Sequence, residues 1–394
     1  MELSGNYFLR LIFGENLEVP ISNQFIKRFN IIQDMTRLLP SFRITLRDTQ
    51  GGLTHLIPFD KDMSRLKVQI GRSIGSVVYN FFDFLTFRRK PQSTYTVSND
   101  HGITGMLNAE KAFTPDYCRA SDGNIKTFLE TIATSELGCD STEVSASLDK
   151  TGLLLQAQMN NAAFFDDLRC RLIGKNNEPL FYIFIKVREG KKIFVCKSHN
   201  ELVNESTKYK FVINDDSVKD YIPVSKYKIF DNYKILNVFG GKEQAYSYFD
   251  YYNSQFVDTS ADLSNFLSLS KYFLIDGSDT EDSNSVTGLG RTNESTEDFK
   301  NEVYAAYYGR VANSVKMWIT TWGIPNICPG DRVEILFPQG TSAGALASYQ
   351  YNGYWLVERI VHSFWSTHTM NVLLSSNGVT TDAPTTLMPA IKKV

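Results

Sequence analysis

Apolar positions in this chain recur with two periods, and the switches between them mark its organisation. In the stretch from Phe42 to Arg47, Phe42, Ile44 and Leu46 alternate with Arg43, Thr45 and Arg47, the period of a strand with one apolar face. Gln50, Gly51 and Gly52 supply a turn, and residues 53–59 (LTHLIPF) return as the partner strand. Leu66, Val68 and Ile70 repeat the alternation, and residues 7–13 (YFLRLIF) form another candidate strand. Short strands separated by turns predict a small antiparallel barrel over 1–92. The cluster Arg88, Arg89, Lys90 before Pro91 is its expected exposed exit.

Near residue 120 the period lengthens. Ile125, Phe128, Leu129, Ile132 and Ala133 fall on one stripe, which predicts an amphipathic helix over 122–138, capped by Ser121 or Asp122 and ended by Gly138. A second helix is expected at 161–173, with Asn160 or Asn161 as cap and Phe164, Phe165 and Leu168 inward. Residues 180–187 and 191–196 then alternate as strands joined by Arg188, Glu189 and Gly190, a hairpin signal. Residues 93–215 therefore form an expected α+β domain.

From 227 the pattern is strand-like again. The polar stretch 276–298 follows, with seven acids against one base, Arg291, and is expected to be a solvated surface loop. Phe299, Val303, Ala306, Arg310 and Val311 predict a helix over 296–315. Four strands close the chain: KMWITTW, RVEILF, GYWLVERIVHSFW and THTMNVLLSS, the second preceded by a tight turn at Pro329, Gly330 and Asp331. The expected fold class is α+β and β-rich: two small antiparallel β-barrels with an α+β domain and a further insertion. The second barrel would be discontinuous, 216–250 plus 314–380, with the insertion at 251–313 and a C-terminal tail at 381–394.

Composition narrows the function. Of 394 residues, 41 are Lys or Arg and 43 are Asp or Glu, a formal net charge of −2, which argues against a protein that works mainly by gripping nucleic acid. Aromatic residues make up 13% of the chain, ample surface to bury and incompatible with a mostly disordered chain. No apolar run approaches the ~20 residues of a membrane span, and the first residues lack the pattern of a signal peptide. Cys118, Cys139, Cys170, Cys196 and Cys328 are odd in number, scattered and without a CxxC pair, as expected of free thiols in a reducing compartment.

Candidate chemistry is sparse. Gly340, Thr341, Ser342, Ala343 and Gly344 match G-x-S-x-G, with Glu358 and His362 following in the order of a hydrolase triad. That elbow needs a strand-to-helix turn, whereas this region alternates as antiparallel β. Glu358 and His362, four apart on one strand, would point the same way ~13 Å apart, beyond hydrogen-bond reach. A flexible hairpin loop is the simpler account of 340–344. His362 and His368 could ligate a metal but have no third ligand at a useful spacing. Gly288, Leu289 and Gly290 lack the rest of a dinucleotide fingerprint, and the acidic stretch lacks the spacing of a calcium loop. The expectation is no catalytic centre, no metal and no cofactor.

The order of elements then resembles the baseplate hub proteins of contractile phage tails, a family shared with the hub portions of VgrG and late control protein D. Three passages carry the likeness. LPSFRITLRDTQGGL contributes Pro40, Leu46, Asp48 and Gly51, followed by the strand LKVQIG. The helix over 122–138 is followed by LLLQAQMNNAAFFDDL, where Gln158 precedes a short helix starting with Asn. CPGDRVEILF is followed by a strand containing Tyr354 or Trp355, Val357, Ile360 and His362. The stretch 276–315 is less readily matched.

The resemblance implies a structural virion protein of the tail baseplate, assembled in the host cytoplasm. It implies a homotrimer whose two barrels per subunit join the six-fold tail tube to the three-fold spike. The implied partners are the tail tube protein, a separate central spike protein and other baseplate proteins, with DNA only in transit and no stable membrane insertion. Two other classes remain open: a tail-associated cell-envelope hydrolase using Ser342, and a peripheral baseplate or receptor-binding protein that grips sugar through Tyr and Trp.

Overall fold

The computed structural model describes residues 7–14, 17–19, 26–47, 65–72, 78–91, 100–174, 178–215, 218–231, 243–250, 255–262, 286–287, 305, 308–309, 312–313, 315–338, 351–365 and 367–376. The N-terminal part supplies seven strands: β1 (Tyr7–Phe13), β2 (Leu17–Val19), β3 (Ile26–Asp34), β4 (Ser41–Arg47), β5 (Arg65–Arg72), β6 (Val78–Pro91) and β7 (Asp100–Leu107). All pair antiparallel, in the order β3-β4-β7-β6-β5-β1-β2. The alternation expected of Phe42, Ile44 and Leu46 is realised: all three are buried, while Arg43 is exposed. Their face curls around an aromatic core in which Phe42 meets Phe84 at 4.9 Å between ring centroids and Phe82 stacks on Phe84 at 5.4 Å. The partner strand expected at 53–59 lies outside the described residues.

The middle of the chain is the α+β unit. It contains β8 (Tyr117–Ser121), α1 (Ile125–Ser135), β9 (Ser141–Val144), β10 (Leu154–Met159), α2 (Asn161–Arg171), β11 (Phe181–Arg188), β12 (Lys191–Ser198) and α3 (His199–Val203). Both longer helices form where the apolar stripes fall. The first is capped by Asn124, whose side chain accepts from the Thr127 N–H at 3.0 Å, and not by Ser121 or Asp122. Ser121 is instead the last residue of β8, paired with Leu154. Asn160 caps the second helix by accepting from Ala163 N–H at 2.9 Å. Between β11 and β12 the chain reverses through Glu189 (φ 52°) and Gly190 (φ 78°), two consecutive positive-φ residues that match the twist of a two-residue hairpin.

The last third contributes β13 (Tyr209–Ile213), β14 (Ile222–Asp231), the three-stranded sheet of β15 (Glu243–Asp250), β16 (Gln255–Asp262) and β17 (Val286–Thr287), and then β18 (Val315–Trp322), β19 (Arg332–Leu336), β20 (Gly353–Phe364) and β21 (His368–Ser376). Six of these close a ring: β19-β13-β14-β18-β21-β20, with β20 pairing back to β19. The expected barrel was 216–250 plus 314–380; the ring instead takes in β13, expected in the α+β domain, and leaves β15 in the separate three-stranded sheet. Its pairs are antiparallel except that β13 runs parallel to both β14 and β19. Val315, Met317, Ile319, Val333, Ile335, Val357, Ile360, Met370, Val372 and Leu374 fill it. Of the helix expected over 296–315, Ala305, Tyr308, Gly309 and Ala312 are described and helical.

The two barrels are one sheet. β20 pairs antiparallel with β3, from Arg359 opposite Asp34 to Phe364 opposite Phe29, so thirteen strands hydrogen-bond in sequence across both. The α+β unit is fastened to the C-terminal barrel by Asp331, which is wholly buried. Its carboxylate takes Arg188 Nη2 at 2.6 Å, Lys208 Nζ at 2.9 Å and the Cys328 N–H at 2.9 Å. The last of these closes the turn in which Gly330 has φ 82°, and a Cβ on Gly330 would lie 3.0 Å from Phe184. The Pro-Gly-Asp motif is therefore a structural clasp: Gly for a left-handed backbone position and Asp for a buried charge met by two cations.

Candidate functional site

Of the residues singled out for a triad, the two described ones, Glu358 and His362, have separate partners. Ser342 and its glycines lie outside the described residues. Glu358 and His362 were expected on one face of their strand, but a bulge between Val357 and Arg359 shifts the register, and a bulge reverses which residues face inward. Glu358 consequently pairs with Lys316 at 2.9 Å, while His362 turns into the barrel interior. The side chains of Arg88, Arg89 and Lys90 are outside the description, as is the stretch 276–298 apart from Val286 and Thr287, which pair parallel with Tyr246 and Ser247.

The two histidines do meet. His362 Nδ1 and His368 Nε2 are 3.1 Å apart, both buried, and His368 stacks on Phe364 at 4.3 Å. Gly323 packs directly on the His368 ring, where any Cβ would collide. Burial pushes His362 down to about 4, and burial with the neighbouring His362 holds His368 well below the ordinary histidine value. Both rings are thus neutral at pH 7, one donating an N–H to the other. Among the described residues no three His, Cys, Asp or Glu side chains cluster as a metal would require. The pair belongs to the packing of the seam between the barrels.

A second polar cluster serves the α+β unit. Asn161, fully buried at the start of α2, donates to Glu136 Oε2 at 2.7 Å and accepts from Arg119 Nη2 at 2.8 Å. Arg119 also donates to Gln156 at 2.7 Å. Burial pushes the Glu136 carboxyl up, but bonds from Arg119 and Asn161 outweigh it and lower its pKa. Every member is satisfied by another, so the cluster orders the helix ends and leaves no group free to react.

A feature that sequence reasoning missed is a groove of about 1010 Å³ on the outer face of the seam. β3, β4, β20 and β21 line it, and its described lining includes Lys27, Arg28, Arg43 and Arg47 and no carboxylate. Its floor is polar. Asn30, in the amide orientation its neighbours require, accepts from Arg28 Nε at 3.0 Å and donates to Ser363 Oγ at 3.1 Å. Thr45 and Thr369 extend that floor. At one end Trp365 is 64% exposed, and its carbonyl accepts from Tyr7 OH at 2.7 Å. Alternation alone placed Arg43, Thr45 and Arg47 on the polar face; only the register of β3 against β4 brings Lys27 and Arg28 beside them.

No protein-family model and no curated protein matches the chain in sequence. Solved structures match in fold. The 43 kDa tail protein of prophage MuSo2 from Shewanella oneidensis is similar with a TM-score of 0.61 at 9% identity, covering 94% of this chain and 99% of that one. The tail protein from Neisseria meningitidis MC58 is similar with a TM-score of 0.55 at 9% identity, over 95% and 98% of the two chains. A chain of the Francisella PdpA-VgrG complex matches with a TM-score of 0.50 at 10% identity, over 96% of this chain and 54% of that one. The fold is therefore that of phage tail proteins. More particularly, it is the fold shared by these two tail proteins and by the matched chain of the PdpA-VgrG complex.

Proposed function

We propose that this protein is a structural component of a phage tail baseplate, a hub with a mechanical and geometric role and no catalytic one. The observation that carries this reading is the fold itself: two adjoining barrels in one sheet with an α+β unit between them in the chain, shared end to end with two tail proteins. Two barrels per chain around a three-fold axis would present six similar units, which suits a protein between a three-fold spike and a six-fold tube. The proposed arrangement is a homotrimeric ring that contacts tube protein on one side and a separate spike on the other, with DNA passing through.

Mass photometry and electron microscopy of the purified protein test this. A three-fold ring that binds tube or spike protein is expected. A stable monomer with affinity for neither overturns the hub. Hydrolase activity on cell envelope that Ser342→Ala abolishes would overturn the non-catalytic role.

A further inference from the structure

We propose that the groove on the seam between the barrels is a docking site for an extended, acidic polypeptide segment of a neighbouring protein. Four observations carry it. First, the charge is local: the chain as a whole has a formal net charge of −2, yet the described lining holds four cations and no acid. Like charges on adjacent strands destabilise a sheet. Arg28 stands opposite Thr45 in register, one step along from Asn30 opposite Arg43, so the two guanidinium groups are diagonal neighbours. An anion between them relieves that repulsion and forms charge-assisted hydrogen bonds.

Second, the floor offers the groups an extended backbone needs. Ser363, Thr367 and Thr369 present hydroxyl groups along the groove, above the buried Asn30 and Thr45. Third, Trp365 is exposed but its backbone is held, by Tyr7 OH on its carbonyl and by its own N–H on Thr367 O at 3.3 Å. A fixed, exposed indole beside cations is the kind of anchor that interfaces bury.

Fourth, the basic run is short and ends in acids. Asp34 closes β3, paired with Arg359 at 2.6 Å, and Asp100 stands opposite Arg47 in register. Between them lie about six strand positions, ~20 Å. A nucleic-acid backbone, charged at every unit, needs a longer basic track than these four cations give; a peptide with a few spaced acids does not. Acidic polypeptide is therefore favoured over nucleic acid. The inference concerns the single chain and holds whether or not the trimeric hub reading does.

The test is fluorescence anisotropy with a labelled peptide of about eight residues, alternating Glu and Ser, and a single-stranded oligonucleotide of similar length. Unfolding curves establish that each variant is folded. The wild-type protein should bind the peptide, with affinity falling as salt rises. Arg28→Glu with Arg43→Glu should weaken binding by about tenfold or more, while Lys219→Glu with Lys226→Glu, two exposed positions giving the same total charge change, should alter it by less than about twofold. Absence of peptide binding at low salt overturns the proposal, as does equal loss in the control. Tighter binding of the oligonucleotide, lost in the double variant, would reassign the groove to nucleic acid and also overturn it.

Discussion

The two barrels solve one packing problem by different means. The C-terminal barrel is closed: six strands return on themselves through β19 and β20, and its core is mostly Val, Ile, Leu and Met, with Phe211, Phe337 and Trp355 among them. Among the described residues, the N-terminal barrel is rolled but not sealed by strand pairing, since β1 and β2 end the sheet at one side and β3 continues into β20 at the other. Its interior is aromatic, with Phe13, Phe29, Phe42, Phe82 and Phe84 all wholly buried. Hydrogen-bonded closure leaves no edge to satisfy, so fewer large rings are needed inside. A rolled sheet must be held by what it wraps, and large rings supply more buried area per position.

If that contrast is right, truncating the aromatic core should have the greatest effect. Phe42→Ala is expected to cost about 3–5 kcal/mol and Met317→Ala, in the closed barrel, about 2–5 kcal/mol with the smaller loss in cooperativity. Denaturant unfolding followed by near-ultraviolet and far-ultraviolet signals would show it. Coincident transitions in Phe42→Ala would mean that the shared sheet, not the local core, sets the unfolding unit. Asp331→Ala comes close behind: removing the carboxylate leaves Arg188 buried without its partner, at about 3–5 kcal/mol. Calorimetry should then resolve the α+β unit melting before the closed barrel.

Acid should act at the seam. The folded values of His362 and His368 lie below the ordinary 6.5, and His199 is likewise pushed to about 4 by burial. The unfolded chain therefore binds more protons between pH 6.5 and about 4, and stability is full above that window and falls as pH drops through it. For His362 alone the loss amounts to about 3 kcal/mol. Glu143 acts lower: burial raises its pKa, but Lys186 and Lys197 pull it to about 2, so its contribution is lost progressively from the unfolded value of 4.5 down to about 2. Urea midpoints from pH 7.5 to 4.5 should fall steeply in the wild type and less in His362→Gln. Equal slopes would remove the histidine pair as the cause.

The smallest effect concerns the hydrogen bond by which Tyr7 of β1 reaches the end of β20. Tyr7→Phe removes the bond to the Trp365 carbonyl and should cost about 0.5–1.5 kcal/mol. It should also loosen the Trp365 indole, seen as a change in its fluorescence anisotropy.

Much of this architecture was legible from period alone. Phe42, Ile44 and Leu46 announced their buried face, Phe164, Phe165 and Leu168 announced α2, and Glu189-Gly190 announced the hairpin. Order and register were not legible, because alternation identifies a strand without naming its neighbours. The pairing of Arg359 with Asp34 joins positions that no local pattern relates. For the same reason the groove escaped notice: Lys27 and Arg28 sit on one strand, Arg43 and Arg47 on another, and neither pair is a motif. The helix cap fell at Asn124 and not earlier because Ser121 was already committed to β8. The histidine pair was visible as two residues six apart, but the bulge at Val357–Arg359 decides which way His362 faces, and bulges leave little trace in composition.

The seam also has a consequence in time. Strand β3 finds one of its two neighbours at once, in β4, but the other, β20, contains Arg359, 325 residues further along than Asp34. At a translation rate of about 5–20 residues per second, that edge of β3 waits on the order of 15 to 65 seconds for its partner to be made. An unpaired strand edge is a template for the wrong chain, and several ribosomes on one message would hold such edges close together. Lys27 and Arg28, both exposed near the start of β3, put like charges on every such edge, a composition that disfavours edge-to-edge pairing of nascent copies.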